Sequence, residues 1–262
     1  VSLDLIGYYQ NAGYYGVDQA LKLLRPNLKL DAVIVSSTHS HEGPDTIGLW
    51  GPALGQDGKY AEYLHGQVRE LLTQFGRVDI MWFDYSYPTR DWGWSRGKGK
   101  DDWESEKLLA MVRELQPGII VNDRADLPGD FVTPEQYQPR AGMEEGGKPV
   151  VWEANHTLTG TWGYQRDNPN WKSPEMLIQM LIDTVSKGGN LLLNVGPNAR
   201  GEFEPKAIER LRAMGEWMRL HGPSIYGCGA SEFVPPPDCR YTQNGSRLYL
   251  HLFAWPYRLV HL

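Results

Sequence analysis

Three acidic residues stand at or just beyond short apolar runs: Asp84 after residues 78–83 (VDIMWF), Glu135 within TPEQYQP, and Glu153 after residues 150–152. Two carboxyl groups facing one another over a bound acetal can cleave it by double displacement. One attacks carbon as the carboxylate, and the other, kept protonated, donates to the leaving oxygen. The same acids also suit ordinary work, capping a helix or pairing with Arg124 or Arg140, and spacing does not separate the two readings. A second candidate set is His39 and His41, in the string Thr38-His39-Ser40-His41-Glu42-Gly43-Pro44. Neutral imidazoles two apart at a strand end can both ligate zinc, but a working centre needs three or four ligands and an open position; the alternative is loop histidines satisfied by hydrogen bonds. A cysteine nucleophile finds little support, since neither Cys228 nor Cys239 neighbours a histidine.

Such groups must be positioned by the elements around them. Residues 30–37 (LDAVIVSS) form an apolar, β-branched run that predicts a buried strand opening into the histidine loop. Helical spacing over 19–24 and a strand-like stretch over 3–9 precede it. Over residues 59–75 apolar positions recur at helical intervals, Gly76 stops the helix, and 78–83 is a short strand that delivers Asp84. The unit repeats: a helix over 103–115, a break at Pro117-Gly118, and a strand over 119–121 opening into Asn122, Asp123 and Arg124. Residues 150–153 make a third short strand ending in an acid. A helix over 174–187 closes at Gly188-Gly189, a strand follows over 190–195, and a last helix covers 205–220. Alternating helices and buried strands predict an α/β fold with a parallel sheet, a (β/α)8-type barrel whose strand ends form the active face. Gly188, Gly189 and Gly196 fit tight turns around a buried strand and read as scaffold rather than chemistry. Residues 247–253 alternate after Asn244-Gly245, a hairpin signal, and predict the start of a C-terminal β element.

Composition narrows the field. The 262 residues, 41% of them apolar, suffice for one large barrel or two small domains. A formal charge of −6 leaves no basic excess for phosphates or anionic lipid, so nucleic-acid and membrane partners are not expected. No apolar run approaches the roughly 20 residues that span a bilayer, and Val1-Ser2-Leu3-Asp4 carries neither a basic n-region nor an initiator Met, so a soluble fragment or processed product is expected. Two cysteines do not make a disulfide scaffold, and the compartment stays open. Trp92, Trp94, Trp103, Trp162 and Trp171 each adjoin Gly, Asp or Asn. In such turn-like settings they either offer ring platforms for the apolar faces of sugars or plug irregular loops.

Residues 59–228 resemble the α-L-fucosidases of glycoside hydrolase family 29. The resemblance is carried by QVRELLTQFGRVDIMWFD (67–84), IIVNDR (119–124), VTPEQYQP (132–139), VVWEAN (150–155), TWGY (161–164) and SKGGNLLLNVGPNARGEF (186–203). It implies a barrel with Asp84 as nucleophile, Trp82 lining the sugar pocket, Arg124 contacting the sugar near the scissile bond, and Glu135 as acid/base. Glu153 competes, because the acid/base position varies in that family. Glu135 is preferred since it follows Arg124 on a long irregular loop from which a donor can reach over the sugar. Glu153, beside Trp152 at a strand end, suits a buried acid holding Asn155 or a backbone amide. Trp162 either stacks on the apolar face of fucose or packs in the core.

That family's barrel ordinarily opens with a His-Trp-Gly strand and a Lys-His-His-Asp-Gly-Phe strand, and neither string is present. Residues 1–58, above all 30–52, resemble instead the neutral ceramidase-like metalloamidases, whose Thr-His-x-His-x-Gly-Pro loop supplies zinc ligands. The expected division is therefore 1–58, a segment completing or covering the barrel; 59–228, the fucosidase-like barrel portion; and 229–262, the start of a β region. The resemblance implies a retaining exo-α-L-fucosidase acting on fucosylated glycans with no metal or organic cofactor. The alternatives are an inactive or carbohydrate-binding barrel remnant and a zinc-dependent amidohydrolase built on His39 and His41. Missing early strands leave an open sheet edge, which residues 1–58 or a second subunit must cover, so a homo-oligomer is expected.

Overall fold

The structure is a computed structural model that describes residues 2–3, 36–37, 60–84, 89 and 97–254. His39, His41, Trp92, Trp94 and the helical stretch 19–24 lie outside the described residues. The chain divides into two units, Val1–Asp130 and Phe131–Leu262, a boundary that falls inside the segment 59–228.

In the first unit, β1 (Ser2–Leu3) pairs in parallel with β2 (Ser36–Ser37). Helix α1 (Tyr60–Gln74) carries Leu64, Val68 and Leu72 one turn apart, and Val68 and Leu72 are buried. Its exit is closed by Gln116, whose Nε2 donates to the Leu72 and Gly76 carbonyls while its Oε1 accepts the Val78 amide. Strand β3 (Ile80–Met81) then pairs in parallel with β4 (Ile120–Val121), Ile80 opposite Ile120 and Met81 opposite Val121. The helix expected over 103–115 is broken at Glu104, where a positive φ of 48° joins a short turn, α2 (Lys100–Trp103), to α3 (Ser105–Leu115). Met81, Phe83, Ile119 and Val121 pack with Val68, Leu72, Leu108 and Val112 into one core. Each such burial contributes about 1.5–3 kcal/mol. The odd-numbered residues of both segments thus face the helices, and the exposed Ile80 and Ile120 face away.

The second unit begins with a hairpin of β5 (Glu144–Glu145) and β6 (Lys148–Pro149). Strand β7 (Glu153–Thr157) then pairs in parallel with β8 (Asn190–Asn194), from Glu153 opposite Asn190 to Thr157 opposite Asn194. On its other edge β7 meets residues 132–135, Val132 opposite Trp152 and Glu135 opposite Asn155. The strand expected to end at Glu153 therefore opens there. Helix α4 (Pro174–Ser186) starts at Ser173, whose Oγ accepts the Met176 amide, and α5 (Pro205–His221) runs into a 3-10 turn, Gly222–Ser224. Leu158 and Leu193 pack on Leu177 of α4 and Ala207 of α5, so even positions of β7 and odd positions of β8 face the helices. The opposite face carries Glu135, Glu153, Asn155, Thr157, Asn190 and Asn194. The tail strand is the second arm of a hairpin, β9 (Cys239–Asn244) with β10 (Arg247–Leu252), held to α4 by Arg240 Nε on Asp183 Oδ1 at 2.6 Å. Burial pushes the Asp183 carboxyl up, but hydrogen bonds from Lys187 and Arg240 outweigh it and hold the group below the usual carboxylate range.

The parallel pairs have the character of (β/α) units, but the described strands form five separate two-stranded sheets and no closed barrel. Among the described residues no helix is long and apolar enough to cross a membrane.

Of the three glycines read as turn residues, Gly188 sits at a φ of +76° and makes a turn. The other two permit close approach: a Cβ at Gly189 would lie 2.4 Å from the Trp152 ring, and one at Gly196 would lie 2.8 Å from the Gly163 carbonyl carbon. Gly189→Ala is therefore expected to cost about 1–3 kcal/mol by overpacking against a fully buried indole, read as a lower urea midpoint at unchanged slope. Gly215→Ala, in α5 with open space around the added methyl, is expected to raise the midpoint. A Gly189→Ala midpoint at or above wild type would mean that Trp152 moves aside freely.

Candidate active site

The ladder between β3 and β4 ends at Met81 and Val121, and a side chain takes over from the main chain there. Asn122, with no exposed surface, accepts the Phe83 amide on Oδ1 at 2.9 Å and donates from Nδ2 to the Phe83 carbonyl at 2.7 Å. The stretch 82–84 is thereby held beyond the last strand pair, with Phe83 in the core and Trp82 and Asp84 on alternate positions. Arg124, two residues after Asn122, donates from Nη1 to Asp84 Oδ1 at 3.0 Å, and its guanidinium carbon lies 4.7 Å from the Trp82 ring centroid. The Asp84 side chain is 30% exposed and that of Arg124 15%, so the pair is largely withdrawn from water but open on one side. Asp84, Trp82 and Arg124, three residues singled out in the sequence, thus come together at one strand end.

The turn that carries Arg124 is itself clamped. Asp130 accepts the Val121 amide at 2.7 Å and pairs with Arg113 of α3, which also donates to the Ile119 carbonyl. Burial raises the Asp130 carboxyl, and the bonds from Arg113 and the Val121 amide more than offset this, so it stays below the usual carboxylate range.

In the second unit Glu135 does not hang on a free loop. Asn155 donates its amide to the Pro134 carbonyl at 2.8 Å, and the Gln136 amide donates to the Asn155 carbonyl at 2.9 Å, so Glu135 is pinned to the edge of β7. Glu153, whose amide donates to the Val132 carbonyl, is the first residue of that strand. Both side chains are half-buried and share the face turned away from the helices. Trp162 is half-buried and its carbonyl accepts Asn194 Nδ2 at 2.7 Å. Beyond the ends of β7 and β8, Thr159, Tyr164, Trp171, Asn194 and Glu204 border a shallow groove.

His156 lies on the helix side, 3.2 Å from Gln138 Oε1. Burial and the nearby Lys172 charge hold its imidazole below the usual range. Among the described residues no group of three His, Cys, Asp or Glu is placed to hold a metal ion. Sequence reasoning gave Asn122 no role beyond following a strand and did not find the Asp130–Arg113 clamp. The available signal was a carboxamide one residue past an apolar strand, at the height where the neighbouring strand delivers its acid.

Comparison with known proteins adds the family. The Alpha-L-fucosidase family profile matches residues 21–223, starting inside the stretch 1–58. Human plasma alpha-L-fucosidase is 30% identical over 183 residues, a match covering 62% of this chain and 38% of that protein. Alpha-L-fucosidase isoenzyme 1 from Paenibacillus thiaminolyticus shares 42% identity at a TM-score of 0.68, over 75% of this chain and 48% of that one. An alpha-L-fucosidase of family GH29 from Bacteroides thetaiotaomicron, trapped as a covalent intermediate with 2-fluoro-fucosyl fluoride, shares 25% identity at a TM-score of 0.65, over 86% of this chain and 55% of that one. The chain thus spans about half, or less, of the length of these relatives.

Asn122→Ala is expected to cost about 1–3 kcal/mol for each main-chain group of Phe83 left buried and unpaired, and to loosen Asp84. Urea unfolding checks the first effect, and amide hydrogen exchange at Phe83 and Asp84 checks the second. Unchanged exchange there would show that the ladder alone holds the strand end.

Proposed function

The chain belongs to the alpha-L-fucosidase family, and from that premise we propose that it hydrolyses terminal α-L-fucose from glycans by a retaining double displacement. The observation that carries the proposal is the Asp84–Arg124–Trp82 cluster: a partly exposed carboxylate at a strand end, oriented through one oxygen by a guanidinium that stacks on an indole. In the first step Asp84 attacks the anomeric carbon and the bond to the leaving oxygen breaks, with the proton of Glu135 passing to that oxygen. In the second, Glu135 takes a proton from water, whose oxygen displaces Asp84 from the same carbon. The covalent intermediate trapped in the Bacteroides enzyme supports this route. Arg124 fixes the attacking carboxylate, while Trp82 and Trp162 contribute ring surface to the sugar pocket. The two carboxyl groups supply nucleophile and proton, so the proposed reaction calls on no metal or organic cofactor. Glu153, on the same face as Glu135, is the alternative donor.

Substrates in this proposal are fucosylated glycans. The homo-oligomer expected from the sequence belongs to it too, as one way to cover a sheet edge left open by the missing early strands. The second reading is the one the sequence left open, a carbohydrate-binding remnant without turnover.

Asp84→Gly is expected to abolish hydrolysis of an aryl fucoside, with azide or formate restoring part of the rate by filling the space of the lost carboxylate. Retention of more than about a tenth of wild-type turnover, a loss under ~1.4 kcal/mol, would remove Asp84 from the nucleophile role. A wild-type chain that binds fucose without turnover would favour the remnant.

Glu135→Ala is expected to slow substrates with poor leaving groups far more than activated aryl fucosides, since only the former need protonation. The same selective pattern at Glu153→Ala instead would transfer the role to Glu153.

A further inference from the structure

Asn155 is 1% exposed, and among the described residues neither its Oδ1 nor its Nδ2 has a hydrogen-bond partner. A carboxamide buried in this way is costly, and an apolar residue would avoid the cost; the neighbour of Asn155 across β8 is Leu192. A buried amide without a standing partner points to a partner that it meets only part of the time. The register identifies one. Glu135 lies directly opposite Asn155 on the other edge of β7, on the same face, with the main-chain bonds Asn155 to Pro134 and Gln136 to Asn155 fixing the pair on both sides. Adjacent strands stand about 4.8 Å apart, so rotation about the Asn155 Cα–Cβ bond brings its amide within reach of the Glu135 carboxyl group.

We propose that Asn155 is a positioning residue for Glu135, its carboxamide serving the acid and the carboxylate form of that side chain in turn. The inference rests on the reading of Glu135 as proton donor. Double displacement requires that carboxyl group to lose its proton to the leaving oxygen and regain one from water. Its hydrogen-bonding character therefore reverses once per half-cycle: the acid can donate, and the carboxylate can only accept. An uncharged carboxamide has an acceptor, Oδ1, for the first state and a donor, Nδ2, for the second, and does not titrate itself. Two neighbouring polar groups are engaged elsewhere. The Thr157 hydroxyl oxygen accepts the Gly160 amide at 2.7 Å, and His156 turns to Gln138 on the opposite face. Glu153 is the other titratable side chain on this face of β7, two residues before Asn155.

The test compares the full chain with Asn155→Leu and with Asn155→Ala, which only removes atoms, using an activated aryl fucoside and an unactivated fucosyl oligosaccharide. Folding is expected to be retained, with thermal stability of Asn155→Leu at or above wild type, since an unpaired buried amide is replaced by an apolar group of similar size. The kcat/KM on the oligosaccharide is expected to fall about tenfold or more while kcat/KM on the aryl fucoside stays within about threefold, and the limb of the pH profile set by the proton donor moves. A Glu135→Ala, Asn155→Leu double variant is expected to lose no more than Glu135→Ala alone. Equal losses on both substrates, an unmoved limb, or additive losses in the double variant overturn the proposal. If Glu135→Ala is selective and neither Asn155 variant is, the role of Asn155 falls and that of Glu135 stands. If Glu135→Ala is not selective, both fall together.

Discussion

A short parallel strand that buries one face against helices sends every second side chain into the core and every other one out of it, and each unit of this chain is organised by that alternation. In the first unit Met81, Phe83, Ile119 and Val121 are spent on the core, so residues 82, 84 and 124 are available at the end of the pair. In the second, Trp152, Ala154 and His156 face inward to the helices, and Glu153, Asn155 and Thr157 occupy the opposite face beside Glu135. A one-residue slip in either register would exchange the two sets and bury carboxylates against leucine. Parallel ladder bonds and helix packing therefore decide which acids can do chemistry before any property of the acids themselves is considered.

Polar side chains hold these short ladders in register. Gln116 ties the end of α1 to the start of β3, Asp130 ties Val121 to Arg113, and Asp183 joins α4 to the terminal hairpin through Arg240. Such partly buried ionic links add little net stability, because the cost of drying the charges offsets their attraction; what they confer is a defined geometry. The strands need it, since β3 and β4 are two residues long and cannot fix an angle by themselves.

Much of the secondary structure was legible in the sequence. The periodicity of residues 59–75 and the stop at Gly76 give α1 to within a residue at each end, and the Pro–Gly punctuation of α4 works equally well. What failed shows where local signals end. Strand β7 reads Glu-Ala-Asn-His-Thr, of which only Thr favours strands, and it is a strand because partners on both edges complete its ladder. Gly189 was read as a turn residue because nothing local reveals that an indole from residue 152 fills the space where its side chain would be. At the candidate site, Asp84, Trp82 and Arg124 were recoverable from motif wording, but the ion pair, the ring stacking and Asn122 depend on two strands meeting. The preference for Glu135 over Glu153 rested on a loop that the structure shows to be an edge row of the sheet. The family profile likewise begins at residue 21, a reach that the unfamiliar wording of residues 1–58 had concealed.

The clamp of Asn122 on Phe83 spans 39 residues of chain, and this imposes an order of assembly. While the polypeptide is being synthesised, the strand bearing Asp84 leaves the ribosome long before the residue that aims it. Until position 122 arrives, the Phe83 amide and carbonyl have only water to bind, and the carboxylate beside them has no fixed direction. A nascent chain of this protein can therefore build α1 and collapse it on β3 while still being chemically unarmed. The step that completes the fold around β4 is the same step that sets the reactive group, so no nascent chain that stops short of Arg124 carries an aimed Asp84 carboxylate.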